Sequence, residues 1–261
     1  MSTIRRVART VVGRDRWVWR TLASPRLRWS AFHDPADLLV YALLLSLPRV
    51  RFIQIGSNDG RTNDPLWSFR NYPHWRGVLV EPDPAAYAHL VRNYRGRGDR
   101  FVPVNAAIGE VSGSIPFHHL ARDDRAGGHW SQLGSLDRAL VERHAEMAGA
   151  PGEPVVSTRV RSLSFDDLCR ELQIGEFDLL HVDAEGSDAV VLAQVELRTR
   201  KPAVVVYEHV HLTPEERAAC RRRLLEGGYR VVSAVMDTMA VEEVSLRRLR
   251  RLRTAWDLVS G

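Results

Sequence analysis

Phe52-Ile-Gln-Ile-Gly-Ser-Asn-Asp-Gly60 is the stretch of sequence that decides the fold. Its first four residues are mostly apolar and predict a buried strand, and a short loop with glycine at both ends follows directly. Glycine tolerates tight turns and close approach of a ligand to the backbone, so this order indicates a strand that ends at a binding loop. In an open parallel sheet, ligands bind beyond the carboxyl ends of the strands. The residues after each strand are therefore the first candidates for a site.

Similar apolar runs recur along the chain and alternate with helix-like segments. Five runs are predicted as strands: Phe52-Ile55, Gly77-Val80, Phe101-Val104, Phe177-Val182 and Ala203-Tyr207. Four signals open predicted helices: Asp64-Pro65, Asp83-Pro84, Ser164 and Thr213-Pro214. Because the strands are apolar on both faces, we expect helices on both sides of them. The pattern predicts an α/β protein with a doubly wound, mostly parallel sheet.

Two acidic residues at the first two strand ends indicate the kind of ligand. Asp59 lies in the loop after the first strand, and Glu81 directly follows the second. A carboxylate in the loop would repel a pyrophosphate and would attract an ammonium or sulfonium group. Glu81 is placed to accept hydrogen bonds from both hydroxyls of a ribose, in NAD and in S-adenosylmethionine alike. Because the loop also lacks the third glycine of a dinucleotide fingerprint, we expect S-adenosylmethionine rather than NAD.

Five motifs, in order over about residues 50–235, resemble the FkbM family of S-adenosylmethionine-dependent methyltransferases. They are Phe52–Gly60, Asp64-Pro65, Val80-Glu81-Pro82, Asn105-Ala-Ala-Ile-Gly109 and Asp178–Asp188. The resemblance implies a class I methyltransferase fold, which is Rossmann-like, and methylation of hydroxyls, frequently on sugars or polyketides. It also implies the cofactor-binding residues: Gly56, Asn58, Asp59 and Gly60 around the methionine part with Ser57 in the same loop, Glu81 on the ribose, and Asn105 and Ala106 near the adenine.

Carboxylates and imidazoles are concentrated after the fourth and fifth predicted strands, in Asp183-Ala-Glu185-Gly-Ser-Asp188 and Glu208-His209-Val-His211. Methyl transfer to an alcohol needs a positioned hydroxyl and a group that takes its proton. We predict Asp183, Glu208 and His209 as catalytic residues. Two versions remain open. Asp183 and Glu208 hold a Mg²⁺ ion through oxygen ligands, or His209 or Glu208 takes the proton without a metal.

Residues 112–154 interrupt the alternation of strands and helices and are predicted as an inserted substrate lid. Four histidines are candidates there for contacts to a polyhydroxylated substrate: His118, His119, His129 and His144. We predict His144 as catalytic, because it lies on a helical piece beside Glu142 and Arg143. Three further residues would form a platform and hydroxyl contacts for a sugar ring, unless the tryptophan belongs to the core: Trp130, Ser131 and Ser135. His181, inside the fourth strand, is interpreted as a core histidine.

Charge divides the chain into three predicted parts: an N-terminal helical extension at 1–49, the methyltransferase domain at 50–241 and a basic C-terminal tail at 242–261. Residues 1–30 hold eight arginines against the single acid Asp15, and a second arginine cluster lies at 247–253. Such ends suit anionic lipid or nucleic acid, or they are solvated helices packed on the domain or on a second subunit. We favour the second interpretation, and the apolar face of the N-terminal helices would suit a homodimer.

Composition excludes several classes of protein. With 44% hydrophobic and 26% charged residues, the chain is neither disordered throughout nor collagen-like. The longest apolar run, Leu38–Leu47, is half the length that crosses a bilayer, and the N-terminus lacks the order of a signal peptide, so we expect a cytoplasmic protein. Cys169 and Cys220 lack the spacing of metal ligands and indicate neither a zinc site nor a disulfide framework.

The function that we expect is an S-adenosylmethionine-dependent O-methyltransferase for a carbohydrate hydroxyl. Only Lys201 among the 37 basic residues is a lysine, which is typical of a GC-rich, actinobacterial genome. The expected acceptor is therefore a methylated mannose oligosaccharide or polysaccharide, and no nucleic acid is expected as a partner. Two alternatives remain: a nicotinamide-dependent oxidoreductase, and a non-catalytic protein that binds a membrane or a partner through its basic ends.

Overall fold

A computed structural model of the protein describes residues 35–121, 134–147 and 152–261. Its strands are β1 (Val50–Ile55), β2 (Trp75–Val80), β3 (Phe101–Val104), β4 (Ala107–Ile108), β5 (Gly113–Leu120), β6 (Val155–Leu163), β7 (Leu179–Val182), β8 (Val204–Glu208), β9 (Tyr229–Ser233) and β10 (Asp237–Glu242). Seven of them form the central sheet in the order β3-β2-β1-β7-β8-β10-β9. Its first five strands in this order are parallel, and β10 is antiparallel to both neighbours. The five predicted strands are confirmed to within two residues.

The described helices are α1 (Pro35–Ser46), α2 (Pro84–Asn93), α3 (Arg138–Met147), α4 (Phe165–Glu171), α5 (Asp188–Gln194), α6 (Leu197–Arg200), α7 (Pro214–Glu226), α8 (Glu243–Arg248) and α9 (Arg250–Ser260). Three predicted helix starts are confirmed by their caps. The side chains of Asp83 and Ser164 accept hydrogen bonds from amides in the first turns of α2 and α4. Thr213 and Glu216 form a reciprocal capping box at the start of α7.

The predicted helix after Asp64-Pro65 is wrong. The chain forms only a short 3-10 turn there, at Trp67–Phe69. Asp64 accepts hydrogen bonds from the Leu66 amide and the Gln54 side chain, so it ties the segment back to β1. The Phe69 ring packs against the Trp75 ring at the start of β2, with 5.5 Å between ring centroids and an interplanar angle of 48°. Aromatic packing and the side-chain contact to β1 therefore replace a regular helix.

Alternate residues of the central strands enter two separate hydrophobic clusters, one on each face of the sheet. Phe52 of β1 and Leu79 of β2 belong to the cluster that contains α1 and α9. Their neighbours Ile53 and Val80 belong to the other cluster, which contains residues of α4, α5 and α7. The sheet is thus covered on both sides, which confirms the predicted doubly wound α/β class. With its mostly parallel central sheet, the architecture is the class I methyltransferase fold that the resemblance implies.

Residues 242–261, predicted as a basic tail, are folded onto the domain. Leu252, Ala255 and Trp256 of α9 are buried in the same cluster as α1. The Arg251 guanidinium donates a hydrogen bond to the Leu45 carbonyl at the end of α1. The arginines of α9 mark its outer face, while its apolar residues recur at helical spacing and face the core. Residues 1–34, including the arginine-rich segment of the predicted extension, lie outside the described residues.

Replacing Trp256 with alanine is expected to lower the free energy of unfolding by about 3–5 kcal/mol, because it empties a large buried site between α9 and α1. Urea denaturation followed by circular dichroism measures the change. Arg253→Ala, on the exposed side of the same helix, is the matched control and should change stability by less than about 0.5 kcal/mol. Equal effects of the two substitutions would show that α9 does not stabilise the domain.

A second, three-stranded sheet in the order β4-β6-β5 includes the first part of the predicted lid, since β5 lies within residues 112–154 and the other two strands flank them. β5 and β6 form a long antiparallel pair, and α3 packs against β5. The first part of the predicted lid is therefore a strand that is paired along its length. Residues 122–133 and 148–151 of this region, which include His129, Trp130 and Ser131, lie outside the described residues. In the three described segments, the structure has no helix that is both long and apolar enough to cross a membrane.

Candidate active site

One cavity opens at the carboxyl ends of the central strands, where the strand order reverses between β1 and β7. It encloses about 930 Å³ of space between atoms, including the open solvent at its mouth. Its walls come from the loops after β1, β2 and β7, from residues next to β4, and from the second sheet. Among the described residues that line it are five carboxylates and no lysine or arginine: Asp64, Glu81, Asp83, Asp183 and Glu185.

Gly56 brings the loop after β1 against the loop after β7. Its φ of +79° lies in the left-handed region, and a Cβ built on it would lie 1.7 Å from the Asp183 carbonyl oxygen. The Gly56 and Ser57 amides both donate hydrogen bonds to the Val80 carbonyl at the end of β2. Three strand ends are therefore joined at one point, and only glycine fits there.

Replacing Gly56 with alanine is expected to destabilise the protein strongly, since the added carbon overlaps backbone atoms that cannot move independently. Gly96→Ala is a matched control, because Gly96 has φ +78° and no atom lies within 4 Å of the position that its Cβ would take. The control should lose about 1–2 kcal/mol from backbone strain alone, and Gly56→Ala should lose clearly more. Thermal unfolding of both variants measures the difference. Equal losses would mean that the Gly56–Asp183 contact is unimportant.

Only part of the predicted cofactor loop faces the cavity. Gly56, Ser57 and Asn58 line it, whereas Asp59 and Gly60 are not among the lining residues. The Asp59 carboxylate accepts hydrogen bonds from the Arg61 and Thr62 amides and closes the following turn. A Cβ on Gly60 would lie 2.3 Å from the Leu90 side chain of α2. Asp59 and Gly60 therefore stabilise the conformation of the loop, and the first three residues of the loop form part of the cavity wall.

Glu81 is the buried carboxylate at the end of β2, as predicted from its position. One carboxylate oxygen accepts the Asn58 amide at 2.7 Å and the other accepts the Asp83 amide at 2.8 Å. Burial raises its pKa to about 8, although both hydrogen bonds act in the opposite direction. Asn105 donates to the carbonyls of Glu81 and Pro82 and so holds this loop, while Ala106 lines the cavity.

Four carboxylates gather where β7 and β8 end: Asp183, Glu185, Asp188 and Glu208. Burial raises the pKa of each one, and the neighbouring acids raise the pKa of Glu185 and Asp188 further, to about 8 in both cases. Burial and then the charge of Asp183 raise the pKa of Glu208 above its ordinary range. Among the described residues, Glu208 Oε2 and Asp188 Oδ2 are buried and have no hydrogen-bond partner. The cluster therefore carries more acidic groups than its surroundings satisfy.

Two histidines join these carboxylates. His211 Nε2 lies 3.4 Å from Glu208 Oε2 and 3.6 Å from Glu185 Oε2. His144 Nδ1, from the last turn of α3, lies 3.8 Å from the same Glu185 oxygen. The two imidazole centroids are 4.7 Å apart. Burial lowers the pKa of His211 to about 4, with His144, Arg143 and Arg217 adding to the effect, and burial also lowers the pKa of His144, so both rings are neutral near pH 7.

The structure thus brings together His144, Asp183 and Glu208 from the predicted catalytic set. His209 is placed differently, because its Nδ1 hydrogen-bonds to the Thr238 hydroxyl of β10 at 3.0 Å. In the part of the chain that the structure describes, no contact links its ring to the carboxylates. His118 and His119 of β5 pair with the Ser157 and Thr158 hydroxyls of β6.

The sequence analysis placed Glu185 and His211 in the two candidate catalytic motifs but predicted neither as a catalytic residue, and both prove to be central to the cluster. Both stand in the acidic and imidazole-rich motifs, two and three residues from the predicted Asp183 and Glu208, and that spacing was the signal that could have found them. His181 is buried, as a core residue would be, yet it lines the cavity. Its Nδ1 finds no hydrogen-bond partner among the described residues. The side-chain amide oxygen of Gln54, in β1, is also buried and has no hydrogen-bond partner among the described residues.

Comparison with known proteins matches residues 54–231 to the Methyltransferase FkbM domain. The chain belongs to the FkbM methyltransferase family. The match covers more than half of the chain and includes the last two residues of β1 together with β2 and β7, the strands whose ends border the cavity. The resemblance inferred from the motifs is therefore confirmed.

Individual relatives of this FkbM protein are more distant. The 2-O-methyltransferase NoeI of Sinorhizobium fredii (strain NBRC 101917 / NGR234) is 31% identical over 150 residues, which are 58% of this chain and 59% of NoeI. Methyltransferase FkbM from Methylobacillus flagellatus KT has 12% identity and a TM-score of 0.47, over 74% of this chain and 43% of that protein. The precorrin-6y C5,15-methyltransferase from Geobacter metallireducens GS-15 has 11% identity and a TM-score of 0.40, over 78% and 86%. The chain spans less than two thirds of the first two relatives.

Proposed function

We propose that the protein is an S-adenosylmethionine-dependent O-methyltransferase that methylates a carbohydrate hydroxyl, with mannosides as the acceptor class. The observation that carries the proposal is the acidic lining of the cavity, whose described residues include five carboxyl groups and neither lysine nor arginine, so that a bound cation would favour their deprotonated forms. A sulfonium with a neighbouring ammonium group is attracted to such a surface, since opposite charges interact strongly where water is excluded. The name of the relative NoeI, a 2-O-methyltransferase, supports transfer to oxygen.

The residues present fit the cofactor. Each oxygen of Glu81 already accepts one backbone amide, and a carboxylate has further lone pairs with which to accept two ribose hydroxyls. Pro82, Ala106 and Ile108 supply apolar surface in the same cavity, as an adenine ring requires. S-Adenosylmethionine, when bound, supplies a methyl group on a positively charged sulfur.

The carboxylates after β7 and β8 would then act on the acceptor. Asp183 lines the cavity, and Glu208 lies beside it with one oxygen free to accept a proton from a hydroxyl. In its deprotonated form, a carboxylate whose pKa is raised is a stronger base than an ordinary glutamate. Glu208 is thus the proposed proton acceptor, Asp183 orients the hydroxyl, and His144 contributes through the same cluster. A direct role for His209 stays a prediction.

The acidic lining opposes the nicotinamide alternative. A dinucleotide brings a pyrophosphate with two negative charges, and phosphate sites in proteins rely on lysine, arginine or free helix amides. No lysine or arginine lies among the described lining residues. The lining also argues against a vestigial domain, because a cavity without a cationic ligand would gain nothing from five buried or half-buried acids.

A methyl-transfer assay tests the proposed function. The purified protein is incubated with S-adenosylmethionine labelled in the methyl group and with mannosides or glucosides, each with and without added divalent cations. We expect labelled, base-stable methyl ether on a mannoside. Transfer to protein or nitrogen nucleophiles only, or no transfer to any carbohydrate while the cofactor binds, would contradict the proposal.

A further inference from the structure

We propose that His144, Glu185 and His211 bind one first-row transition-metal dication of the zinc type at the acceptor side of the cavity. Their donor atoms all lie within 4.8 Å of one another, although they come from three separate parts of the chain. His144 belongs to α3, Glu185 to the loop after β7, and His211 to the loop after β8. The metal's part in methyl transfer rests on the proposed function, whereas the binding site itself does not.

The separations suit ligands of a shared ion better than direct pairs. The Glu185 carboxylate oxygen is 3.6 Å from His211 Nε2 and 3.8 Å from His144 Nδ1, beyond the usual reach of a hydrogen bond. Two donors bound to one tetrahedral zinc-type ion are separated by about 3.3–3.6 Å, given metal–ligand bonds of roughly 2.0–2.2 Å. Both carboxylate–imidazole distances therefore need only small shifts, and the widest donor separation, which is within 4.8 Å, would have to close by about 1 Å for all three groups to reach a common ion.

The types of donor select the metal. Two imidazoles and one carboxylate form the set that holds catalytic zinc with a fourth position open for water or substrate. Mg²⁺ prefers oxygen ligands and an octahedral shell, so imidazole pairs favour a transition metal instead. This assignment differs from the Mg²⁺ site expected at Asp183 and Glu208, because Asp183 is not among the grouped donors.

The groups around the three ligands favour a bound cation, because most of the charged ones are acidic. Asp183, Asp188 and Glu208 add three more acidic groups, against the two guanidinium groups of Arg143 and Arg217 that act on His211. The Ser135 hydroxyl donates a 2.7 Å hydrogen bond to the Glu185 carbonyl and fixes that loop, in which Glu185 has φ +47°. About a quarter of the Glu185 side chain is exposed, which leaves an entry path for the ion.

The open fourth position would receive the acceptor hydroxyl. A dication that binds a hydroxyl oxygen makes its proton more acidic. Glu208 Oε2, 3.4 Å from His211 Nε2 and without a hydrogen-bond partner among the described residues, lies next to that position and would accept the proton. The metal would thus bind the acceptor hydroxyl and Glu208 would accept its proton, whereas the sequence analysis predicted a metal held by Asp183 and Glu208.

Titration with Co²⁺ alone tests the site directly. The full chain is first dialysed against a chelator, and Co²⁺ is then followed by its visible absorption, which is intense for four-coordinate ions and weak for six-coordinate ones. We expect one Co²⁺ per chain with the intense bands, displaced by one equivalent of Zn²⁺ and not by the same amount of Mg²⁺. Weak bands, binding without a fixed stoichiometry or displacement by Mg²⁺ would overturn the proposal.

Variants assign the ligands. His211→Ala, His144→Ala and Glu185→Gln should each weaken Co²⁺ binding at least about 10-fold. His89→Ala, on the exposed side of α2, is the matched histidine control and should bind as the parent does. Parent-like binding by all three ligand variants would overturn the assignment, and the wild-type spectrum decides the question for any variant that fails to fold. Binding of S-adenosylmethionine, measured on the same metal-free preparation, distinguishes loss of this site from failure of the proposed function.

Discussion

Replacing Glu208 with alanine is expected to lower kcat for methyl transfer by about 10²- to 10⁴-fold, the usual contribution of a positioned proton acceptor. Glu208 ends β8, its side chain is 11% exposed, and one of its oxygens is buried without a partner among the described residues. It is not among the residues that line the cofactor cavity. The affinity for S-adenosylmethionine should therefore stay close to that of the parent, so the loss falls on turnover.

Two comparisons make the Glu208 result specific. Glu208→Gln keeps the shape of the side chain and removes its basicity, so it should lose nearly as much turnover as alanine does. Glu226→Ala, at the exposed end of α7, removes an equal charge far from the cavity and should keep parent turnover. Steady-state rates and calorimetric cofactor binding are measured on each variant. Unchanged turnover in Glu208→Ala would remove Glu208 from the mechanism.

Glu81→Ala carries the second large effect, which falls on cofactor binding rather than on turnover. Hydrogen bonds to a charged group contribute about 1.5–3 kcal/mol each, so the loss of two bonds to a ribose should weaken binding by at least about 100-fold. The substitution also releases the Asn58 and Asp83 amides, which loosens the loops after β1 and β2.

Glu81→Gln separates the two contributions. The amide keeps one acceptor oxygen and can hold one of the two loop amides, so its affinity should fall between those of the parent and Glu81→Ala. Glu110→Gln, an exposed acid outside the cavity, is the control and should bind the cofactor as the parent does. Calorimetric titration with S-adenosylmethionine gives all three affinities. Parent-like binding by Glu81→Ala would mean that the ribose lies elsewhere.

Local signals in the sequence were sufficient to predict the strands of the central sheet and the residues at the ends of its first two strands. Apolar runs over four to six residues fix the strands, and the glycine loop and Glu81 follow the first two of them directly. Helix caps at Asp83, Ser164 and Thr213 were readable because the capping contacts are made within three residues. The same signal failed at Asp64, where a contact to Gln54, ten residues earlier in β1, replaces the helix.

The remaining features depend on contacts between distant parts of the chain. Burial of α9 against α1 joins residues more than 200 positions apart, and charge alone suggested a tail. His144 and His211 meet only because α3 packs beside the ends of β7 and β8, which no local pattern encodes. For the same reason His209 was preferred over His211, although its partner is Thr238 of the antiparallel strand β10.

Calorimetric titration of the purified protein with S-adenosylmethionine tests the central claim most directly, because the roles of Glu81, Glu208 and the acidic cavity all depend on that ligand. We predict one molecule bound per chain with micromolar affinity, in metal-free protein as well as in protein supplied with metal. Absence of binding, or binding of NAD in its place, would contradict the account and leave only the methyltransferase fold and family.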